Sequence, residues 1–588
     1  MSANPVVDFV PDGVGRPGFA ERQDIDAFVD MLERFENGDL SPDEWRAFRL
    51  INGTYGQRQE GVFMIRVKLP YGLVNSRQLE TFAEVTEKWV GSGAGHVTTR
   101  QCIQLHFVKE KEAELALSQM ADVGLTTREA CGNAVRNITG CPFAGVAPTE
   151  LFDVSPYADA VTRHLLRGPY SSALPRKFKI AFGGCCGFDD IQAQINDLGF
   201  LTAVDAQGNH GFKVYMGGGL STLRKAGILV HEFLPVTEVL DVSEAVVRTF
   251  HRLGNRKDKH KARLKWAIQK LGTAAFIEEY KKDLAAVRAE GGHPLAVAPA
   301  PKPRAVPEAS TADGTPVEAL PEFAAFAKTN VRAQKQAGFS SVIVRLPKGD
   351  IRPAQFRALA LLADKFCEGE IRTTNEQNLV MRFVPTWRLG ELHRELTAAG
   401  LGQAGAMTMA DVLSCPGASS CKIAVTNSKA IGAMLTDHLD ARPELVAQVP
   451  GLDIKISGCP NGCGQHYSSV IGLQGGMRKI DGKPVPQYFV YVGGGFAADG
   501  PKFGRIAGKV PSRRVPEALE RLVAMYTAEK QPGETPLAFF SRVEPAQVNA
   551  KIKDLTEMDA TTATAEDFID LGESKAFELV EMEGECAA

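Results

Sequence analysis

Thr98-Thr99-Arg100-Gln101-Cys102-Ile103-Gln104-Leu105-His106-Phe107-Val108 and Thr374-Asn375-Glu376-Gln377-Asn378-Leu379-Val380-Met381-Arg382-Phe383-Val384 share one arrangement of Thr, Gln and apolar residues, 276 positions apart. Val214-Tyr215-Met216-Gly217-Gly218-Gly219 returns at the same offset as Val490-Tyr491-Val492-Gly493-Gly494-Gly495, and Lys179-Ile180 returns as Lys455-Ile456. Upstream, Val67-Lys68-Leu69-Pro70 and Val344-Arg345-Leu346-Pro347 lie 277 apart. This agreement marks an internal duplication and predicts a pseudo-two-fold architecture. Each half reads strand, helix (76–90; 353–367), Thr-rich strand, helix and glycine-rich strand end. The fold class is therefore α+β, built of α/β sandwich modules used twice.

Between the halves, 291–321 holds seven prolines among Ala, Gly, Ser and Thr and reads as an extended linker. The expected organisation is an N-terminal extension (1–44), a first-half ferredoxin-like module (45–150) and a first-half cofactor and substrate module (151–290). After the linker come a second-half ferredoxin-like module (322–410), a metal-binding module (411–550) and an acidic C-terminal tail (551–588) that reads as solvated. With 588 residues the chain is long enough for about four cores. Its 67 basic and 70 acidic side chains give no whole-molecule attraction to nucleic acid or anionic membrane. No stretch approaches 18 apolar residues and no signal peptide is evident, so a cytoplasmic location with reduced thiols is expected.

Reduced thiols turn attention to Cys415-Pro-Gly-Ala-Ser-Ser-Cys421 followed by Cys459-Pro-Asn-Gly-Cys463. C-x5-C and C-x3-C on separate loops supply four thiolates in two close pairs, as a cubane iron–sulfur cluster requires. Zinc, which more often takes C-x2-C or C-x4-C, and ligand-free buried cysteines are the alternatives.

From about Trp45 to Leu522 the chain resembles the sirohaem and [4Fe–4S] sulfite/nitrite reductases, which carry this cysteine pattern. The resemblance implies a cluster on Cys415, Cys421, Cys459 and Cys463, with Cys463 shared with the sirohaem iron. It further implies that Arg66, Arg136, Lys177 and Lys179 bind the substrate anion, Lys177 and Lys179 delivering protons. Arg100, Gln104 and His106 match sirohaem contacts, and their even spacing suggests one side of a strand. Arg256, Lys261 and Arg263, in the basic run 255–265, match a segment that offsets haem carboxylates; alone, the run reads as a solvated helix face. Tyr55 and Cys131 stand where some members carry a covalent link, although two unlinked side chains are the simpler reading. Cys141, Cys185 and Cys186 read as structural.

Lysine at 179 and Cys415-Pro416-Gly417 resemble the assimilatory sulfite-reducing branch, the sulfite reductase haemoproteins. The expected reaction is thus six-electron reduction of sulfite to sulfide, with ferredoxin-dependent reduction of nitrite to ammonia as the alternative. A haem-free iron–sulfur carrier or sensor is a third reading, disfavoured by the Arg/Lys set. No dinucleotide or Walker fingerprint is present, so electrons are expected from ferredoxin or a separate NADPH-dependent flavoprotein.

Overall fold

The computed structural model describes residues 18–184, 189–295, 321–580, 582, 584 and 585. Cys185, Cys186, Cys586 and most of the 291–321 stretch lie outside them.

The duplication is visible in four five-stranded sheets, two of each kind. In the first half, strands Thr139–Gly140, Ile180–Gly183 and Leu198–Val204 run parallel, then His210–Met216 and Ile228–Pro235 add antiparallel. In the second half, Leu413–Ser414, Ile454–Ser457 and Ile471–Ile480 run parallel, then Lys483–Val492 and Arg505–Pro511 add antiparallel. The same topology built twice from matching sequence is an internally duplicated α+β fold with pseudo-two-fold symmetry.

The two smaller sheets are interlocked. Leu73–Asn75 of the first half pairs with Glu370–Thr373 of the second, and Asp350–Ile351 of the second pairs with Gly95–Val97 of the first. Helix Ser76–Trp89 lies against helix Pro353–Phe366, where the Phe82 and Phe356 rings stack at 5.5 Å. One apolar core accordingly runs from Phe28 to Leu401 through both small sheets, while each larger sheet has a core of its own. The separate ferredoxin-like modules expected at 45–150 and 322–410 thus share a single interior. Exchanging a short strand pairs backbone groups that would otherwise form exposed sheet edges.

The repeated Gln explains part of the opening motif. Gln101 and Gln377 both adopt left-handed backbone, with φ of 57° and 61°. Gln101 Nε2 donates to the carbonyls of Gly140 (2.9 Å) and Thr373 (2.8 Å), while its Oε1 accepts from Gly140 N (2.9 Å). Gln377 Nε2 donates to the Val97 carbonyl (2.9 Å) and its Oε1 accepts from Ser414 N (3.0 Å). Each glutamine reaches across to the strand end equivalent to its own, so buried hydrogen bonds offset a strained turn.

Three expected boundaries or tail features differ from the structure. Helices Pro42–Ile51 and Pro545–Thr556 run through positions 44 and 550, because capped helices continue past those points. Most described tail residues are exposed, but some acidic side chains go inside. Asp570 accepts from Asn427 N at 2.7 Å, and Glu585 is 6% exposed, held by Arg49 Nη2 (2.7 Å) and Gly56 N (2.6 Å).

Candidate functional site

Neighbouring parallel strands deliver the cysteines. Ser414 pairs with Ile456, so Cys415 and Cys459 both emerge just past the same end of that pair. The loop 415–428 returns Cys421, and the loop 459–464 brings Cys463. That second loop is tight. Gly462 has φ of 69°, and a Cβ on Gly464 would stand 1.9 Å from the Ile456 carbonyl oxygen. Cys415 and Cys459 are buried, Cys421 is partly so, and Cys463 is exposed. Burial, reinforced by the neighbouring sulfurs, pushes the Cys415 and Cys459 thiols upward, and Cys421 rises to about 11. Four sulfurs carried on two adjacent loops form a donor set suited to a soft metal core.

Lys179 lies within electrostatic reach of Cys463, at the edge of a cation group. Lys177 and Lys179 flank buried Phe178 in the extended run before Ile180–Gly183, so both ammonium stems leave on one side. Burial holds Lys179 well below the ordinary lysine value, and Arg100, Arg263 and Lys177 push the same way. Arg100 donates to Asn196 Oδ1 (2.7 Å) and to the carbonyls of Asn137 (2.6 Å) and Ile180 (3.1 Å), and burial brings its pKa down to about 10. Its Nε is buried with no partner among the described residues. Arg263 binds Asp197 at 2.7 Å, and Asp197 also accepts from Lys179 N at 2.9 Å.

Arg66 and Arg136 extend the group, both donating at 3.1 Å to the Ala130 carbonyl. Gln104 faces Arg66 across paired strands and, with its oxygen turned inward, accepts from Arg66 Nε at 3.1 Å. His106 lies farther along the same strand. Burial holds it neutral with help from Lys429, its Nδ1 has no partner among the described residues, and it lines a cavity of about 50 Å³ with Pro416 and Ser420. Cys131 lies 3.1 Å from Arg66 Nη1 and packs in one small cluster with Tyr55.

The pseudo-symmetric positions give a direct comparison. Arg100, Lys177 and Lys179 correspond at offset 276 to Glu376, Asp453 and Lys455. There Lys455 pairs with Glu376 at 3.1 Å and with Asp453 at 3.7 Å. Burial alone would lower the Lys455 pKa, yet the two carboxylates outweigh it and raise it. One half pairs its lysine with two carboxylates, while in the other the equivalent lysine stands among cations beside Cys463.

Two expectations need correction. Arg100, Gln104 and His106 do not share a strand face: the strand begins at Ile103, and the left-handed Gln101 turns Arg100 away toward Asn137 and Asn196. Arg256 and Lys261 do not join the cation group. Arg256 is exposed and spends its guanidinium on the carbonyls of Ala173 and His251 (both 3.0 Å), and Lys261 is exposed on a single helical turn.

Sequence reading also missed Lys265, taken as part of the solvated run. It is 2% exposed and donates to the carbonyls of Gly219, Leu220 and Leu223, while burial lowers its pKa to about 7. It thereby fixes the loop whose Ser221 meets Asn461 at 3.4 Å and whose Arg224 lies over Tyr467. Thr99 adds a bond to the Cys463 carbonyl at 3.0 Å. An apolar neighbour on each side of a lysine (Leu264, Trp266) was the available signal.

Four thiols beside a group of clustered cations, in a duplicated α+β fold, are the layout of an oxidoreductase acting on a small anion. Residues 131–287 and 405–538 match the nitrite and sulphite reductase 4Fe-4S domain, and 55–123 and 332–399 match the nitrite/sulfite reductase ferredoxin-like half domain. The chain belongs to the nitrite and sulphite reductase family. A ferredoxin–nitrite reductase from Synechococcus elongatus is 31% identical over 79% of this chain and 86% of its own. A chloroplastic one from Zea mays is 32% identical over 75% of each. The solved structure of the Mycobacterium tuberculosis NirA protein superposes with a TM-score of 0.75 at 26% identity, covering 91% of this chain and 98% of that one. Relatives named as ferredoxin–nitrite reductases stand at 29–32% identity, against 27% for one named as a ferredoxin-dependent sulfite reductase. These findings overturn the expected sulfite reductase haemoprotein, which rested on Lys179 and Cys415-Pro416-Gly417. Among the described residues no helix is long and apolar enough to cross a membrane.

Proposed function

We propose that the protein is a ferredoxin-dependent nitrite reductase, converting nitrite, six electrons and eight protons into ammonium and two waters. The observation that carries this reading is the difference between the halves: Lys179 stands among Arg100, Arg263 and Lys177 beside Cys463, whereas its counterpart Lys455 pairs with Glu376 and Asp453. The names of the relatives select nitrite and ferredoxin.

Cys415, Cys421, Cys459 and Cys463 would hold a [4Fe–4S] cluster. Arg100, Gln104, His106 and Arg263 would hold a sirohaem, whose carboxylates suit the partnerless Arg100 Nε and His106 Nδ1. When bound, the pair supplies single electrons and an iron position for the anion. Arg66 and Arg136, anchored on one carbonyl, fix the anion's orientation; guanidinium groups do this without giving up protons. Lys177 and Lys179 offset the anion's charge and stabilise its protonated products. Because Lys179 sits below the ordinary lysine value, an arriving anion strengthens its hold on a proton and departing oxygen can take it.

Specificity constants for nitrite and sulfite, measured side by side with reduced ferredoxin, test the reading. A higher value for nitrite is expected; a higher value for sulfite refutes it.

A further inference from the structure

A second cluster of ligand-type side chains stands apart from the residues around Cys463. His164 lies in the last turn of helix Ser155–Leu165, Glu244 on helix Val239–Leu253, and His293 just beyond helix Thr273–Ala289. Three elements thus bring two imidazole nitrogens and one carboxylate oxygen within 4.8 Å of one another. His164 Nε2 is 2.6 Å and His293 Nε2 2.9 Å from the same atom, Glu244 Oε2. The rings stand 4.3 Å apart and tilted by 54°, so they converge on a point instead of stacking flat.

The carboxylate is held from behind. Arg248 Nε donates to Glu244 Oε1 at 2.8 Å and Arg248 Nη1 to Glu290 Oε1 at 2.7 Å, leaving Oε2 to the histidines. His293 is fixed through its own backbone, whose N–H donates to Asp241 Oδ1 at 2.8 Å. A ligand carboxylate oriented by an outer partner is the arrangement that metal sites use.

We propose that His164, Glu244 and His293 form a site for a zinc-type divalent cation, which fastens the residues following helix Thr273–Ala289 to the first-half module. Two nitrogens and one oxygen, with a water completing four-coordination, suit zinc. Neutral imidazole is the ligand form, and burial of His164 beside a second imidazole favours it. Each neutral ring would carry its one proton on Nδ1, leaving the Nε2 lone pair for the ion. Side-chain exposures of 17%, 12% and 34% leave a route for the ion.

The test titrates zinc into tag-free, cofactor-loaded protein after chelator treatment, with cluster cysteines occupied, by isothermal titration calorimetry. One saturable site tighter than about 10 µM is expected, weakened at least about tenfold in His164→Ala and in His293→Ala. Zinc is also expected to slow hydrogen exchange of residues 290–295 in the wild type alone, with nitrite turnover unchanged by either substitution. Absence of saturable binding, or equal binding in the doubly substituted protein, overturns the proposal.

Discussion

Lys179 and Lys455 occupy equivalent positions in the two halves, and replacing each with methionine should have opposite consequences. Lys179 is buried among Arg100, Arg263 and Lys177, so its removal relieves repulsion; stability should stay within about 1 kcal/mol or rise. Losing one preorganised donor to a developing charge costs about 10²–10³ in kcat, roughly 3–4 kcal/mol. Lys455 is the partner of Glu376, at 3.1 Å and with 5% of its own side chain exposed. Removing it strands a carboxylate, at a cost approaching about 3–5 kcal/mol, lowered because Glu376 keeps a fifth of its surface in water. Turnover per sirohaem should remain near wild type. Three cores make a single unfolding free energy ill-defined, so urea midpoints are compared instead. Nitrite consumption is followed with reduced methyl viologen, normalised to sirohaem absorbance. If Lys179→Met lowers the urea midpoint with turnover intact, or Lys455→Met abolishes turnover in protein that retains both cofactors, the assignment of charge roles is wrong.

Two further outcomes concern the architecture that carries the site. Glu585 is held at a pKa of about 2 because Arg49, Gly56 N and Lys422 outweigh the effect of burial. Its contribution is present above the unfolded value near 4.3 and lost as pH falls toward 2. Glu585→Gln should therefore cost up to about 3 kcal/mol at neutral pH and progressively less below about 4.3, read as hydrogen exchange of residues 54–56 and 582–585. Gln101→Ala and Gln377→Ala each remove buried bonds across the two halves and should lower the urea midpoint by an amount equivalent to about 2–4 kcal/mol; a change under about 1 kcal/mol in both would show that the crossing bonds are not what joins the halves.

The duplication was legible because both copies keep the Gln101 and Gln377 phrase, whose side chains do the same job twice. The four cysteines stood out by their paired spacing, and the structure carries the two pairs on loops that follow neighbouring parallel strands. Strand exchange left no signal, since Leu73–Asn75 and Asp350–Ile351 are too short to state a preference for either sheet. Arg256 and Lys265 show the same limit from opposite sides. In one basic run, the first is spent on surface carbonyls and the second is buried as the post of a loop, a distinction set by packing and not by residue type. The C-terminal tail was read as solvated from its charge, yet Glu585 goes inside because a bidentate arginine is waiting for it.

Duplication and charge together explain why the site lies where it does. A symmetric pair of halves would place equal chemistry on both sides of the shared core. Here the second half supplies thiols from strands Leu413–Ser414 and Ile454–Ser457 and closes Lys455 on Glu376 and Asp453. The first half keeps the equivalent strand but exchanges both carboxylates for Arg100 and Lys177, so that Asp197 balances Arg263 while Lys179 stands among cations near Cys463. Repulsion within that group disfavours the protein without an anion and favours it with one, which makes occupancy by negative groups part of what stabilises the first half. The thiols and the cations come from different halves, and Thr99 and Ser221 bond across the seam to the Cys463 loop. The thiols and the cation group therefore become neighbours only once the whole chain has folded.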